Sequence, residues 1–560
     1  MNRVFNLRHL ACLVMAWLLA LCSIDTAGAV AVEKPLRPIT TTGGTVVGLA
    51  LPSGVKAWFG VPFAEPPTGA QRWRPPQSIH WSGVWNADRK MPECPQVLRA
   101  HDINHYYGEE ATSEDCLYLN IWAPPASSVA RGKLPVIVYL YGGGFTIGSG
   151  GIATYGGEAL AQRSAVFVNF NYRLGVLGFL SHPELSKEQD GHSGNYGLLD
   201  QALALRWIHD NIAQFGGDPA RILIIGQSAG AASVTFQLAS PLSRGLFSRA
   251  MMSSGCNWTT DVATLAEGER VGLAMQKYFG AASLAELRNV PADRFVAAQL
   301  ESQIGVSVTS GVRAGPVVDG YFLVAPPREV LEAGKMSAVP IIASFNKDES
   351  FSPLMTARTI AEYESVSQRM YGADTAAFLS LYPVTNAQDI RTVGGQVARE
   401  GTLEDSARTC AQLQTRFNRS KAYVSLFSAR PEFTPGVHIA DYDVATTGAY
   451  HTADIPFWFG NLDAFNMLRP TRAWTESDRK LSGSMMDALV AFAATGDPST
   501  PAVSWPAWSS DREVKVEWGG GKALAAVVPI NVAGIEWLKA HPARRLSPAG
   551  EVGARGGPRD

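Results

Sequence analysis

The junction at residues 221–234 limits the possible folds of this chain more than any other stretch. Gly226-Gln227-Ser228-Ala229-Gly230 follows directly on the apolar run Ile222-Leu223-Ile224-Ile225 and opens into Ala231-Ala232-Ser233-Val234. An apolar, β-branched run followed at once by small residues reads as a strand turning sharply into a helix. Glycines on both sides of Ser228 let such a turn close and leave open space beside the serine. Ser228 then stands at a helix N-terminus, where backbone N–H groups favour developing negative charge. The five-residue pattern alone is short, and its bland alternative is an ordinary turn with a solvated serine. The flanking strand and helix argue for a nucleophile elbow instead.

Comparable apolar runs recur along the chain. Leu134-Pro135-Val136-Ile137-Val138-Tyr139-Leu140, Ala165-Val166-Phe167-Val168-Asn169-Phe170, Val339-Pro340-Ile341-Ile342-Ala343 and Ala422-Tyr423-Val424-Ser425-Leu426-Phe427 all suit strands buried on both faces. Residues 198–215 carry Leu199, Leu203, Trp207 or Ile208, and Ile212 at helical spacing, and Gly216-Gly217-Asp218-Pro219 ends that helix. Strands alternating with helices predict an α/β fold with a mostly parallel central sheet and helices on both faces. Near the start, residues 45–49 and 56–60 read as two paired short strands across the turn Leu51-Pro52-Ser53-Gly54.

The ends of the chain read differently. Arg3 and Arg8, an apolar run over 10–22 and Ala27-Gly28-Ala29 form the pattern of a secretory signal peptide over residues 1–29. That run is shorter than the roughly 20 residues a spanning helix needs. The expectation is an exported protein, periplasmic or secreted, with no membrane span once the signal is removed. Residues 30–546 read as one catalytic domain, and the Gly-, Pro- and charge-rich residues 547–560 as a disordered tail. A net charge of −2 gives no basic footprint for nucleic acid. Cys94, Cys116, Cys256 and Cys410 remain after the signal, and four cysteines allow three pairings.

If Ser228 attacks a carbonyl, the negative charge that develops needs N–H donors. Tyr141-Gly142-Gly143-Gly144-Phe145 follows a buried strand and fits a glycine loop that supplies them, with Gly143, Gly144 and Ala229 as donors. The serine also needs a base, and the base an orienting carboxylate. In the order serine, acid, histidine, only His438, His451 and His541 of the ten histidines follow Ser228. Asn346-Lys347-Asp348-Glu349-Ser350 follows a buried strand and offers Asp348 and Glu349 as the acid.

With these residues in place, the chain resembles the type-B carboxylesterase and cholinesterase family, and bacterial para-nitrobenzyl-esterase-like members in particular. The resemblance rests on Phe59-Gly60-Val61-Pro62-Phe63-Ala64-Glu65-Pro66-Pro67, Ser113-Glu114-Asp115-Cys116-Leu117-Tyr118-Leu119-Asn120, the glycine loop, the elbow and Ala494-Thr495-Gly496-Asp497-Pro498. It implies an α/β-hydrolase fold and a serine esterase cleaving small-molecule carboxylic esters, with no metal or cofactor. It implies Glu349 as the acid, His451 as the base and Ser254 as a hydroxyl beside them. It also implies a Cys94–Cys116 disulfide and the ion pairs Arg72–Glu114 and Arg173–Asp200. Tyr106 stands where cholinesterases carry a cation-binding tryptophan, which argues against choline esters. Cys410 lacks its usual family partner, leaving it free or paired with Cys256.

Phe145, Trp258, Phe351 and Trp458 flank these segments and are the candidate pocket aromatics, core packing being the competing role for each. Three other functions compete. A silent, cholinesterase-like binding protein would not need a complete serine, acid and base. A zinc site at His101 and His105 has the i, i+4 spacing but no glutamate after the first histidine. A lipase would need an apolar lid, whereas the Cys94–Cys116 segment carries His101, Asp102, Glu109 and Glu110. Asn257 and Asn418 begin N-x-S/T sequons. Ester identity and oligomeric state are not written in these motifs.

Overall fold

The runs that read as buried strands lie side by side in the computed structural model. It describes residues 34–544 apart from 98–102, 104–110, 126–132, 257, 304–313, 440–442 and 522–523. The signal segment, the tail, His101, His105, Tyr106 and Asn257 lie outside the described residues.

The main sheet contains β1 (Lys56–Pro62), β2 (Tyr118–Ala123), β3 (Leu134–Leu140), β4 (Val166–Phe170) and β5 (Gly217–Gln227). It continues with β6 (Arg249–Ser253), β7 (Ile341–Asn346), β8 (Ala422–Phe427), β9 (Val514–Trp518) and β10 (Ala525–Pro529). With two short edge strands, Lys34–Pro35 and Leu49–Ala50, it has twelve strands in the order edge, edge, β1, β2, β4, β3, β5, β6, β7, β8, β9, β10. From β4 to β9 every neighbouring pair is parallel, while β1–β2, β2–β4 and β9–β10 are antiparallel. Every residue of β4, β7 and β8 is buried, so a nearly continuous apolar run was the right signature for them.

Helices surround the sheet. α1 (Tyr196–Asn211) continues through a 3₁₀ turn, Ile212–Phe215, and ends at Gly216, whose φ of 92° only glycine adopts freely. α2 (Ala229–Ala239) packs on β5 and β6, and α5 (Glu476–Thr495) on β3 and β5. Between β7 and β8 the chain makes a helical excursion that includes α3 (Asp389–Glu400) and α4 (Leu403–Leu413); α4 covers β7 and β8.

One strand reading needs correction. Leu49–Ala50 does pair antiparallel with the start of β1, but Thr45–Val47 leaves for a separate small sheet with Ile39–Thr40 and Val84–Asn86. The switch falls at Gly48, where a Cβ would lie 2.2 Å from the Ala57 carbonyl oxygen. The chain can pass that close to β1 only without a side chain.

Two disulfides close the fold, Cys94–Cys116 and Cys256–Cys410. Cys410 is therefore paired rather than free. Arg173 and Asp200 are both buried and joined by two bonds of 2.8 and 2.7 Å, and Arg72 grips Glu114 with both carboxylate oxygens engaged. Breaking such a buried pair costs about 3–5 kcal/mol, which makes both structural.

Candidate active site

Ser228, Ser254, Glu349 and the glycine loop each stand just beyond the C-terminal end of a parallel strand, where sheets of this kind assemble sites, while His451 lies on the longer connection that follows β8. β5 ends at Gln227 and α2 begins at Ala229, so Ser228 is the entire connection. Its φ of 56° and ψ of −123° are strained for a residue with a side chain. Its N–H donates to the Ser253 carbonyl of the neighbouring strand at 2.9 Å, which holds the strained turn. The flanking glycines are required by close approach. A Cβ at Gly226 would lie 2.1 Å from the Gly230 carbonyl oxygen, and one at Gly230 would lie 2.0 Å from that of Leu140.

The acid and the histidine meet across two loops. His451 Nδ1 is 2.6 Å from Glu349 Oε2. The other Glu349 oxygen accepts from Ser254 Oγ at 2.9 Å and from the Asn346 N–H at 2.6 Å. The Glu349 side chain has no exposed surface, whereas that of His451 is 36% exposed. A carboxylate so enclosed and so fully bonded fixes the imidazole's orientation and places its proton on Nδ1.

The rival residues point elsewhere. Asp348 accepts from the Ala449 N–H at 2.9 Å, and its own N–H donates to the Ala449 carbonyl at 3.0 Å. It thus ties the acid loop to the histidine loop. His438 is exposed, and His541 stacks on Trp537.

The glycine loop follows β3. Gly143 has φ 105° and Gly144 φ 63°, and a Cβ at Gly143 would lie 2.2 Å from the Ile147 carbonyl oxygen. A Cβ at Gly142 would come 3.1 Å from Ser228 Cβ, so this loop runs directly beside the serine. Ala229 is the first residue of α2, and its N–H has no acceptor within the helix. Among the described residues eight non-glycine residues have positive φ, and Phe145, Ser228, Ser254 and Thr452 are four of them. Backbone strain is thus gathered around this site, as it is at functional sites generally.

Two groups here escaped the sequence reading. The Gln227 amide nitrogen lies 3.1 Å from His451 Nε2 and 3.4 Å from Nδ1. Being nearly equidistant from both, it sits over the ring face and leaves the Nε2 lone pair available. The buried Asp454 accepts from Ser253 Oγ at 2.6 Å, Trp458 Nε1 at 3.1 Å and Asn346 Nδ2 at 3.2 Å. Burial, and after it the Glu349 charge, hold the Asp454 carboxyl above its ordinary range against the Ser253 and Asn346 hydrogen bonds. Burial pulls the His451 imidazole down. The Glu349 hydrogen bond and charge, then the Asp454 charge, outweigh it, and the net position is above the usual histidine value. Gln227 sits inside the elbow motif and Asp454 three residues after His451, and those positions were the only signal in the sequence.

The pocket aromatics divide. Phe145 is half-buried against the rings of Phe179 and Phe236. Trp458 is a correction: it is wholly buried, bonded to Asp454 and packed edge-on against Trp518, which makes it core. Trp258 is 1% exposed and equally part of the core. Phe351 is 71% exposed and stands in solvent.

The parallel sheet, the serine elbow and the acid and histidine on loops beyond later strands define an α/β-hydrolase. Structures of a para-nitrobenzyl esterase and of a thermophilic one are similar throughout. The first aligns with a TM-score of 0.71 at 28% identity, over 90% of this chain and 99% of its own. The second aligns with 0.70 at 30%, over 89% and 98%. The carboxylesterase family profile matches residues 36–519. The fumonisin B1 esterase of Sphingopyxis macrogoltabida is 34% identical over 522 residues, 91% of this chain and 92% of the relative. The para-nitrobenzyl esterase of Bacillus subtilis (strain 168) is 31% identical over 484 residues, 84% of this chain and 93% of the relative. This chain belongs to the carboxylesterase family, and it is an ester hydrolase acting on small-molecule esters.

Proposed function

We propose that the chain hydrolyses carboxylic esters through an acyl-enzyme on Ser228, with His451 as general base and acid and Glu349 as its orienting carboxylate. The observation that carries this reading is the 2.6 Å contact between His451 Nδ1 and the enclosed Glu349 carboxylate, with the imidazole 3.1 Å from Gln227, the residue before the strained Ser228 at a helix N-terminus. His451 Nε2 takes the Ser228 proton as the hydroxyl attacks the carbonyl carbon. The N–H groups of Gly143, Gly144 and Ala229 receive the oxyanion, each worth about 3 kcal/mol in the transition state. The tetrahedral intermediate collapses, His451 returns the proton to the departing alcohol, and Ser228 keeps the acyl group. Water, deprotonated by His451, attacks that ester in turn; the acid leaves and Ser228 regains its proton. Ser254 steadies the Glu349 oxygen that the histidine does not use.

Kinetics of single and double variants test the assignment. Ser228→Ala and His451→Ala should each lower kcat by about 10⁴–10⁶-fold, and the double variant should be no worse than either alone, because the residues act as a unit. Ser228→Ala retaining activity within tenfold of the parent would overturn it.

Residues 1–29 as a cleaved export signal, 30–546 as one catalytic domain and 547–560 as a tail belong to the same proposal. Two disulfides, and no helix among the described residues long and apolar enough to cross a membrane, are compatible with export. The names of the relatives point to esters as different as fumonisin B1 and para-nitrobenzyl esters. The ester this chain prefers is best found by varying acyl and alcohol size independently.

A further inference from the structure

On the far side of the acid and histidine loops lies a cleft of about 400 Å³. One wall is a face of α3, with Arg391, Gly395 and Arg399 at successive i, i+4 positions. Lys347 and Asp348, just before Glu349, form a second wall, and Arg430 lies beyond the end of β8. Residues 443 and 446–448, on the approach to His451, close it.

The charges in this cleft are unbalanced. Arg399 is paired with Glu404 at 3.1 Å. Asp348 and Asp443 also line the cleft; Asp348 accepts from the Ala449 N–H, and Asp443 from the Ala445 N–H at 3.0 Å and Thr446 Oγ1 at 3.1 Å, so both carboxylates stay charged but are held by donors of their own loops. Lys347, Arg391 and Arg430 have no carboxylate partner among the described residues. Arg391 donates to the Thr446 carbonyl, and Arg430 to that of Ala445. A guanidinium bonded to one carbonyl keeps further N–H donors, arranged to meet a carboxylate or phosphate in its plane. Three cations without a carboxylate partner outnumber the two carboxylates of the lining, and their spare donors converge on one concavity, which suits an anion with several oxygens to grip.

We infer that this cleft is a binding site for a small polycarboxylate or phosphate, held by Lys347, Arg391 and Arg430 and separate from Ser228. Both anion classes offer the same oxygens to these donors, and the volume admits a molecule of several heavy atoms rather than a lone ion.

Isothermal titration calorimetry of the full chain at low ionic strength tests this, with citrate and inorganic phosphate as probes and sorbitol as the neutral control. One or both anions should bind saturably. Arg391→Ala/Arg430→Ala should weaken binding by about tenfold or more, since it removes two charge-assisted partners at once. Arg391→Lys/Arg430→Lys should retain more of the affinity, and added salt should reduce it. Tighter citrate binding would assign the site to polycarboxylates, and tighter phosphate binding to phosphates. Both arginines are exposed, and hydrolysis of a neutral ester by the alanine variant should stay near that of the parent, which also reports its folding. Should that variant not fold, Lys347→Gln carries the same test. No saturable binding of either anion to the parent chain, or binding unaltered by these substitutions, would overturn the site. Because the readout is binding, the result is independent of whether Ser228 forms an acyl-enzyme.

Discussion

At the scale of single residues, the proposed mechanism makes the environment of His451 the control on the working pH. The Glu349 and Asp454 charges overcome burial and hold the imidazolium more firmly than in water. In the proposed mechanism the neutral imidazole is the base, so activity should be lost as pH falls through this raised value. The acid limb of kcat/KM should therefore lie above the ordinary histidine pKa of about 6.5. A pH–rate profile checks this, and a rate flat from pH 5 to 8 would contradict the base assignment. Gln227 gives a second handle on the same quantity. Its amide rests on the ring face, so Gln227→Glu would put a negative charge against the imidazolium. The acid limb of that variant should move to higher pH. A limb in the same place, with kcat preserved, would mean that the amide is not in contact with the ring in solution.

At the scale of elements, the acid and histidine loops act as one unit through Asp348 and Ala449. Gly448 makes their approach possible, because a Cβ there would lie 2.1 Å from Asp348 Oδ2. Gly448→Ala should force the loops apart, at a cost of about 1–3 kcal/mol in stability. Displacing His451 from Glu349 by about 1 Å should cost on the order of 10²-fold in kcat. Denaturant unfolding and ester hydrolysis measure the two effects, and a variant as stable and active as the parent would refute the coupling. The same loops show what a sequence discloses. β4, β7 and β8 were legible because burial on both faces leaves a nearly continuous apolar run, and the elbow because its glycines answer to local geometry. The choice of Glu349 over Asp348, and of His451 over His438 and His541, was not legible from the residues alone. It depends on contacts between residues 102 apart, and only family resemblance pointed to the pair that the structure brings together. Asp454 and Gln227 were missed, and Trp458 was misplaced, for a related reason. A buried carboxylate, an amide beside the catalytic ring and a core tryptophan each take their roles from neighbours distant in sequence.

At the scale of the molecule, the Cys256–Cys410 disulfide ties the loop after β6 to α4 across 154 residues. Without it, no covalent link would join the segment beyond β6 to the helical excursion, leaving packing and hydrogen bonds such as Ser254 to Glu349. Cys256→Ser/Cys410→Ser should lose about 2–5 kcal/mol of stability, visible as a lower denaturant midpoint. An unchanged midpoint would show that the two parts hold together without the bridge. The proposed mechanism draws on the whole fold: seven strands running in parallel carry the elbow, the glycine loop and the acid loop at one end of the sheet. The most direct measurement is to treat the intact protein with a fluorophosphonate, digest it and map the adduct by mass spectrometry. The account predicts stoichiometric labelling of the peptide carrying Ser228, complete loss of hydrolysis on labelling, and no adduct on Ser228→Ala. Labelling at another residue, or hydrolysis that survives full modification of Ser228, would contradict it.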